Sequence, residues 1–355
     1  MRIRLLSFLI GFGFTANGQV QDTTKHVQFA AIPILNYSTT MGFTLGVMGQ
    51  AYYDFDSDDT TSPKSSTGVF GMYTTNQTYF FAAFQRLYLS EDRWRVMMGA
   101  GHGDINFQFW QELPVIGGSF IGFDTKADFV LARVERKVYD ELYFGVRAMY
   151  CNALTSYDVP DNLPDDLRFD RRNLNNIGYL FNFDKRDHQI NPYKGYNIEL
   201  LDVFYGDAIG SDNDFQKVQL TYNHYYPIVD ETQVLATRVR VESSIGDVPF
   251  QGQSVIGQDD IRGYSSGKYR DNQVYAIQAE YRWRFYNNFG MVGFAGIASA
   301  VENFAQLADG EILPGAGLGL RYMLIPEQRV NIGLDIAAGK GDWGIYFRIG
   351  EAFGR

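Results

Sequence analysis

The sequence has little of what catalytic and metal-binding sites are usually built from. Its 355 residues include one cysteine, Cys151, so no disulfide can form within the chain. The histidines lack the spacing of metal ligands. These histidines are His26, His102, His188 and His224. We therefore predict no catalytic residue, no metal site and no cofactor, and we expect that the protein is not an enzyme.

Long apolar runs are also missing, apart from a short one at the beginning of the chain. Arg2 and Arg4 precede an apolar run over residues 5–14. This run is about half the roughly 20 residues that a membrane-spanning helix needs, so it is typical of an export signal. We predict a cleaved signal peptide over residues 1–18 and a short periplasmic segment over residues 19–27. The alternative is a buried N-terminal helix.

Positive charge is scarce as well. Charged residues make up 20% of the chain, and the formal net charge is −10. Loss of Arg2 and Arg4 with the signal peptide takes this net charge from −10 to −12. A nucleic-acid partner would favour a basic face, so we expect none.

Aromatic residues, in contrast, are abundant. The chain has 24 Tyr and 28 Phe, and aromatic residues make up 16% of it. The mean hydropathy is nevertheless −0.22. A chain of this kind suits strands with one face toward lipid and the other toward water. A large soluble β-sandwich could share the composition, but the export signal, the strand length and the aromatic excess favour a membrane barrel.

Alternation with a period of two runs through almost the whole chain. It is clearest at residues 274–285, where odd positions are apolar or aromatic and even positions from 278 are long and polar. Such a period places the two sets on opposite faces of a strand. About sixteen strands are predicted, beginning near residues 28, 42, 66, 77, 93, 125, 141, 174, 194, 215, 232, 273, 289, 314, 328 and 343.

An even number of strands lets a single-chain outer-membrane barrel close with both termini in the periplasm. The predicted fold class is therefore all-β, a transmembrane antiparallel β-barrel over residues 28–355. In this orientation residues 109–123, 151–173 and 244–271 form external loops, and the polar run 56–64 is a long periplasmic turn. Cys151 is expected to pack as a small side chain inside the barrel.

Two short motifs stand out from the alternation. The first is a turn with Arg186-Asp187, then Asn191-Pro192 and Gly195. Proline and glycine suit a tight turn, but they do not explain the charged pair. The second is Ile261-Arg262-Gly263-Tyr264, between the eleventh and twelfth predicted strands, which makes this segment the sixth external loop.

Together these motifs resemble the BamA/TamA superfamily of outer-membrane assembly barrels, also called bacterial surface antigens. The family carries a turn of the type R-D-x-x-x-N-P-x-x-G and a V/I-R-G-F/Y motif in its sixth external loop. The resemblance extends from Gln28 to Phe353 and implies that this loop folds back into the lumen, where Arg262 pairs with an acid of the inner wall.

Candidate partners of Arg262 follow from strand parity, that is, from which face of a strand each alternate residue occupies. Glu280 and Asp335 share the face of the long polar side chains, and arginine forms strong bidentate pairs with carboxylates. Asp259 or Asp260 of the loop itself is the alternative. The glycines at 315, 317 and 319 share one face and would leave a smooth inner wall against which the loop can pack.

The chain also departs from the family pattern. Assembly barrels of the family carry periplasmic POTRA domains, for which residues 19–27 leave no room, so a separate partner is expected. The family's F-x-D motif on the thirteenth strand is matched by Phe294-Ala295-Gly296, without the acid. The aromatic residue that usually ends such chains is matched by Phe353, which we predict to be the C-terminal signal.

Three functions remain open from the sequence. The first is assembly or insertion of outer-membrane proteins through a weak seam between the first and last strands, together with a separate periplasmic partner. The second is a scaffold subunit of a larger outer-membrane complex, and the third is a diffusion pore. In each case the expected surroundings are outer-membrane lipid in a Gram-negative cell, with a periplasmic or outer-membrane protein as partner.

Overall fold

The computed structural model describes residues 27–38, 41–113, 117–158, 164, 168–257 and 260–353. The predicted signal peptide and the predicted periplasmic segment, apart from Val27, lie outside the described residues. Among the described residues, no helix is long and apolar enough to cross a membrane.

Nineteen strands and four short 3-10 helices account for the regular structure of the described residues. The strands are β1 (Val27–Ser38), β2 (Gly42–Tyr53), β3 (Ser65–Thr74), β4 (Tyr79–Leu89), β5 (Trp94–Leu113), β6 (Gly117–Tyr139), β7 (Leu142–Tyr157), β8 (Phe169–Asn173), β9 (Asn176–Asp184), β10 (Gly195–Tyr205), β11 (Phe215–Pro227), β12 (Gln233–Gly246), β13 (Ser254–Val255), β14 (Arg270–Asp271), β15 (Gln273–Tyr286), β16 (Phe289–Val301), β17 (Leu313–Ile325), β18 (Val330–Gly339) and β19 (Asp342–Ile349). The 3-10 helices are Asp207–Ile209, Phe250–Gly252, Phe304–Gln306 and Pro326–Gln328.

The strands form a closed antiparallel barrel with sixteen strand positions around the ring. β8 and β9 together occupy the eighth position, since both pair with β7. β13 and β14 form a separate small hairpin within the connection between β12 and β15. β1 pairs with β19 and closes the ring. The prediction of an all-β barrel with about sixteen strands is confirmed.

Side chains alternate between the outside and the lumen as the sequence pattern predicts. On β15, Ile277 is 48% exposed on the outer face, whereas Glu280 on the inner face is fully buried. Large exposed apolar side chains recur on the outer face of the other strands, for example Val69, Phe81 and Val130. A barrel that meets lipid on the outside needs this arrangement.

Two predicted external loops are shorter than expected. The segment predicted at 109–123 is largely strand, because β5 and β6 pair with each other as far as Leu113 and Gly117. The segment predicted at 151–173 likewise begins and ends in strand, within β7 and β8. In both places the strands continue past their neighbours. Main-chain hydrogen bonds between the paired strands can maintain such an extension, so no regular apolar face is needed to mark it in the sequence.

The connections define two ends of the barrel. The C-terminus, the start of β1 and seven turns lie at one end, which we call the terminal end. The longest connection, residues 247–272, lies at the opposite loop end. Longer loops mark the extracellular side of such barrels, and short turns mark the periplasmic side.

β1 and β19 meet at a junction that we call the seam. In the described part of the chain they share two residue pairs, Tyr37 with Ile345 and Ser38 with Gly344. β1 forms twelve residue pairs with β2, and β19 forms eight with β18. Among the described residues, 27–36 of β1 have no ladder partner in β19, and the Asn36 side chain accepts the Phe347 N–H instead. The unpaired part of the seam is therefore its terminal-end half.

Candidate functional site

The connection between β12 and β15 folds into the barrel. Ile256, Ile261 and Tyr264 are almost completely buried and pack against inner-wall residues of β15, β16 and β17. The Tyr264 hydroxyl donates to the Pro314 carbonyl at 2.7 Å and accepts the Lys340 N–H at 2.9 Å. Apolar burial and these hydrogen bonds hold the loop against the wall.

Gly263 allows the loop to approach the wall closely. Its φ of +107° lies in a region that L side chains rarely adopt. A Cβ at this position would also lie 2.8 Å from the backbone carbon of Ala338. Gly315 faces the loop from the other side, where a Cβ would collide with the Arg262 carbonyl oxygen. Glycines on both surfaces thus bring the two backbones into contact.

Arg262 lies at the centre of the buried contacts. Its Nη2 lies 2.6 Å from Glu280 Oε2, and its Nη1 lies 2.8 Å from Asp335 Oδ2. The structure thus brings Arg262 together with both acids that strand parity suggested. Its Nε donates to Gln278 Oε1 at 2.9 Å, and its guanidinium lies 3.4 Å from the centre of the Phe294 ring.

The alternative partners of Arg262 were two acids of the loop itself, Asp259 and Asp260. The Asp260 carboxylate accepts the Gly257 N–H at 3.0 Å, which shapes the loop locally. Asp259 lies outside the described residues.

The family's F-x-D motif has its acid at the position of Gly296. A Cβ on Gly296 would lie 2.9 Å from the Gln278 Cα, so the wall is crowded there. Phe294 of the same segment instead provides the ring that stacks on Arg262.

The network continues beyond the predicted residues. Arg282 Nε lies 2.8 Å from Glu280 Oε1, and Arg348 Nε lies 2.8 Å from Asp335 Oδ2. Arg321 joins Asp335 at 2.5 Å and Glu351 at 2.9 Å. Strand parity could have identified Arg321 and Arg348, since both share the inner face with residues already singled out. Glu351 follows the last strand, where parity gives no guidance.

The turn motif reaches the same network from the terminal end. Arg282 Nη1 donates to Asn191 Oδ1 at 3.3 Å and to the Pro192 carbonyl at 3.4 Å. Gly195 has a φ of +95°, and a Cβ there would collide with the Lys185 carbonyl oxygen. Arg282 therefore links the turn motif to Glu280, and through Glu280 to Arg262 of the loop motif.

The charged pair of the turn motif has separate partners. Arg186 Nε donates to Asp184 Oδ1 at 2.7 Å, and Asp187 Oδ2 accepts from Arg329 Nη1 at 2.6 Å. Asp187 also accepts the N–H groups of Tyr193 and Lys194. Partial burial opposes the charge of Asp187, but these hydrogen bonds outweigh it and hold the pKa of Asp187 below its ordinary value.

Phe353 lies inside the barrel rather than at a lipid-facing strand end. Its ring is buried among Tyr193, Tyr225, Val234 and Ala236, and its carbonyl oxygen accepts a hydrogen bond from the Tyr225 hydroxyl. The chain turns inward after β19 because Gly350, with a φ of +76°, permits the bend. The predicted role of Phe353 as a C-terminal signal stays a prediction, and its position in the lumen was not foreseen.

These contacts describe a structural site rather than a chemical one. Among the residues that the structure describes, no three His, Cys, Asp or Glu side chains are grouped so that they could hold a metal ion. The buried charges pair with each other, so the arrangement holds the loop, the turn and the C-terminal residues to one half of the wall. Breaking one partner of such a pair costs about 3–5 kcal/mol, because the other charge stays buried.

Known proteins share this architecture. The chain is 24% identical over 300 residues to the outer membrane protein assembly factor BamA of Nitratidesulfovibrio vulgaris, an alignment that covers 78% of this chain. It spans 36% of the length of that relative. BamA from Haemophilus ducreyi lacking POTRA domains 1–3 superposes with a TM-score of 0.60 and 15% identity, over 91% of this chain and 70% of the other.

A second solved structure agrees with this result. CdiB from Escherichia coli superposes with a TM-score of 0.63 and 11% identity, over 91% of this chain and 63% of the other. The Omp85 superfamily domain matches residues 12–353, which is nearly the whole chain. The chain is thus an outer-membrane β-barrel that belongs to the Omp85 superfamily.

Proposed function

We propose that this barrel assists the insertion of other proteins into the outer membrane, and that the seam is where it acts. The observation that carries the proposal is the two-pair junction between β1 and β19. Most of the β1 edge has unpaired main-chain groups, and an exposed strand edge is a template for pairing with another strand. A client strand that pairs there would enter the membrane already hydrogen-bonded, as the apolar core of the bilayer requires.

The charged network supports this role by making the wall on the β19 side of the seam rigid. Loop, turn and C-terminal residues are tied to β15, β17 and β18 through Arg262, Arg282 and Arg321. β1 carries no such buried ion pairs in its described part. An opening motion would therefore start at the seam, because the rest of the ring is held by longer ladders and by charge pairs.

A separate periplasmic protein is part of the proposal. The alignment covers 36% of the BamA relative, so the rest of that relative has no counterpart in the matched region. We propose that a partner delivers client chains to the terminal end. A pull-down of the tagged protein in native detergent, analysed by mass spectrometry, tests this: a POTRA-bearing protein or a periplasmic chaperone is expected, and cell-surface or lipoprotein subunits alone would favour a scaffold.

Locking the seam tests the central step. Tyr37 and Ile345 are ladder partners across the seam, so cysteines at both positions in a Cys151→Ser background can be joined by oxidation or by a short bismaleimide. We expect the locked barrel to lose its support of outer-membrane protein insertion, measured as client abundance in the membrane. Reduction of the disulfide restores that activity.

The control shares one of the two cysteines. Ile345 also pairs with Ile336 inside the continuous ladder between β18 and β19. Cysteines at 336 and 345 carry the same chemistry but leave the seam free. The proposal requires that this second cross-link leaves client abundance unchanged. Equal activity of the seam-locked and ladder-locked barrels contradicts it.

A scaffold subunit is the second candidate. It is supported by the hairpin of β5 and β6, whose backbone continues to Leu113 and Gly117, while the adjacent strand β7 ends at Tyr157 opposite Phe123. The hairpin therefore projects past its neighbours at the loop end, where a surface partner could bind. Deleting residues 108–122 leaves the membrane barrel intact and, for a scaffold, abolishes capture of the partner.

A further inference from the structure

The inner face of the barrel is divided into a charged half and an apolar half. On β2 to β7 the inward-facing positions in the middle of the strands are apolar, and they form what we call the apolar inner wall. It includes Met48, Phe70, Phe84, Phe129, Leu131 and Met149. Adjacent strands hold them side by side, since Phe70 is the ladder partner of Met48, and Leu131 is the ladder partner of Met149.

The aromatic rings of this wall lie flat against the strands. A Cβ on Gly101 would lie 2.6 Å from the Phe129 ring, and one on Gly103 would lie 2.8 Å from the Phe80 ring. The Phe80 ring centre lies 6.0 Å from that of Phe129 and 5.9 Å from that of Phe70. The result is a continuous smooth apolar surface. Barrel lumens that hold only water are lined by polar side chains, so this surface favours an apolar occupant.

Inward-facing arginines border the apolar inner wall on its terminal-end side, among them Arg86, Arg133 and Arg147. Arg133 and Arg147 are ladder partners on β6 and β7. Arg133 lies 2.8 Å from Glu135 Oε1 and 2.6 Å from Glu199 Oε2, so its charge is satisfied. The two arginines are followed toward the loop end by Leu131 and Met149, with no charged side chain between.

Arg147 differs from Arg133 in having no carboxylate. In the described part of the chain no acidic group lies within ion-pair distance of it, and its Nη2 faces Met149 Sδ at 3.5 Å. The Nε of Arg147 is buried without a hydrogen-bond partner. A buried arginine donor without an acceptor is costly, and a phosphate provides the bidentate acceptor that a guanidinium fits best.

The dimensions of the wall suit an acyl chain. From Arg147 to Ala153 the inner wall extends about 20 Å along the strand, at 3.3 Å per residue. Because strands of such barrels tilt by about 40°, this length corresponds to about 15 Å along the membrane normal, about half of the roughly 30 Å hydrocarbon core of a bilayer. Arg147 lies near the terminal end of β7, which begins at Leu142. It therefore lies in the terminal-end half of β7, on the side of the leaflet at that end.

The seam provides a route between the bilayer and this wall. Its unpaired half, residues 27–36 of β1, lies at the terminal end, and the apolar inner wall begins on the adjacent strand β2. A lipid from the leaflet on that side could pass the seam with its headgroup toward the terminal end and its chains toward the loop end. No inversion of the lipid is needed.

We propose that the lumen binds a phospholipid of the surrounding membrane, with its phosphate at Arg147 and its acyl chains along the apolar inner wall. The positive group and the apolar surface match the two parts of this one ligand. The site lies across the lumen from the Arg262 network, and its occupation is independent of whether the barrel inserts client proteins.

Native mass spectrometry of the full chain, released from phosphatidylglycerol-containing detergent micelles, tests the headgroup contact. We expect the wild type to retain phosphatidylglycerol and Arg147→Gln to bind it about tenfold more weakly, equivalent to about 1.4 kcal/mol. Arg136→Gln is the matched control, because Arg136 lies on the outer face of the neighbouring strand β6 and stacks on Trp94 at 5.3 Å. Equal retention by Arg147→Gln and the wild type overturns the proposal, as does displacement of the lipid by inorganic phosphate alone.

Cys151 provides a second measurement at the apolar end of the site. It is the ladder partner of Phe129 and the single cysteine of the chain. A bimane fluorophore on Cys151, in vesicles of phosphatidylglycerol with brominated acyl chains, should be quenched by contact with these chains, and Arg147→Gln should reduce the quenching. Bimane at Val130→Cys in a Cys151→Ser background faces the outer lipid. It should be quenched equally with Arg147 and with Arg147→Gln. Quenching at 130 without quenching at 151 contradicts a lipid in the lumen.

These measurements also separate this inference from the proposed function. Both use purified protein without a client chain, so neither depends on insertion activity. The compact form of each variant on an unheated denaturing gel shows that the barrel has folded. A variant that loses lipid but still supports client insertion would leave the proposed function intact, and the reverse result would leave the lipid site intact.

Discussion

Arg282 and Glu280 lie two positions apart on β15, and the Arg282 Nε reaches Glu280 Oε1 at 2.8 Å. Arg262 of the loop motif lies on the other oxygen of the same carboxylate, at 2.6 Å. Arg282 in turn donates to Asn191 of the turn motif at 3.3 Å. The two motifs are far apart in sequence, and they are joined by one buried carboxylate.

Removal of the central arginine should destabilise the barrel strongly. Arg262→Ala leaves Glu280 and Asp335 buried with fewer positive partners, and we expect a loss of about 3–5 kcal/mol in the free energy of unfolding. Urea unfolding in detergent, followed by gel mobility, measures it. Arg136→Ala, on the outer face, should change the free energy of unfolding by less than about 1 kcal/mol. A loss no greater than that of the control would show that the loop is held by its apolar contacts alone.

The two motifs should be energetically coupled through Glu280. In a double-mutant cycle with Arg262→Gln and Arg282→Gln, the combined loss should differ from the sum of the single losses by about 0.5–3 kcal/mol. The reason is that both side chains neutralise the same carboxylate. Unfolding free energies of the four proteins give the coupling. Strict additivity would mean that the loop and the turn are stabilised separately.

The glycine of the loop motif can be tested against a glycine with free space. Gly263→Ala combines a φ of +107° with a Cβ that would lie 2.8 Å from the Ala338 backbone. Gly341→Ala has a φ of +62°, but nothing lies within 4 Å of its Cβ. Conformational strain of about 1–2 kcal/mol applies to both, so Gly263→Ala should cost more by the clash alone. Thermal unfolding midpoints measured side by side show the difference, and equal midpoints would mean that the loop does not lie against β18.

Acid should loosen the turn motif. The pKa of Asp187 is lowered in the folded barrel, so the folded state binds fewer protons than the unfolded chain as pH falls below the ordinary value of 3.8. The stabilisation by Asp187 is therefore complete above that value and is lost as pH falls through the lowered pKa. Asp187→Asn should flatten the acid limb of a stability-against-pH curve, and Arg329→Gln should flatten it partly. An unchanged slope in both variants would exclude this pair as the cause.

Much of the fold follows from the sequence because the barrel repeats one rule. Alternation on strands such as β15 needs no long-range information, since lipid lies on one side and the lumen on the other. Predicted strand starts at 42, 215, 273 and 289 agree with the observed ones. The rule fails at the ends of β5 and β6, where the strands leave the membrane and neither face has to be apolar.

The site could be predicted only in part for a related reason. Parity places Glu280 and Asp335 on the inner face, and the family resemblance implies that the loop folds inward. Glu351 and Phe353 lie beyond the last strand, and a bend at Gly350 determines their direction. The link from Arg282 to Asn191 joins β15 to the turn between β9 and β10. In the sheet β10 is separated from β15 by β11 and β12, so the turn and β15 come together only because the sheet is curved.

The seam also has a mechanical consequence. In a closed ring, a lateral pull from the membrane is carried around the whole circumference, so each strand junction bears the same load. A ladder of two residue pairs will separate before one of eight or twelve. Stretching or thinning the bilayer therefore acts on this barrel at one predetermined place, and the thickness of the surrounding membrane becomes a control on how often the ring is open.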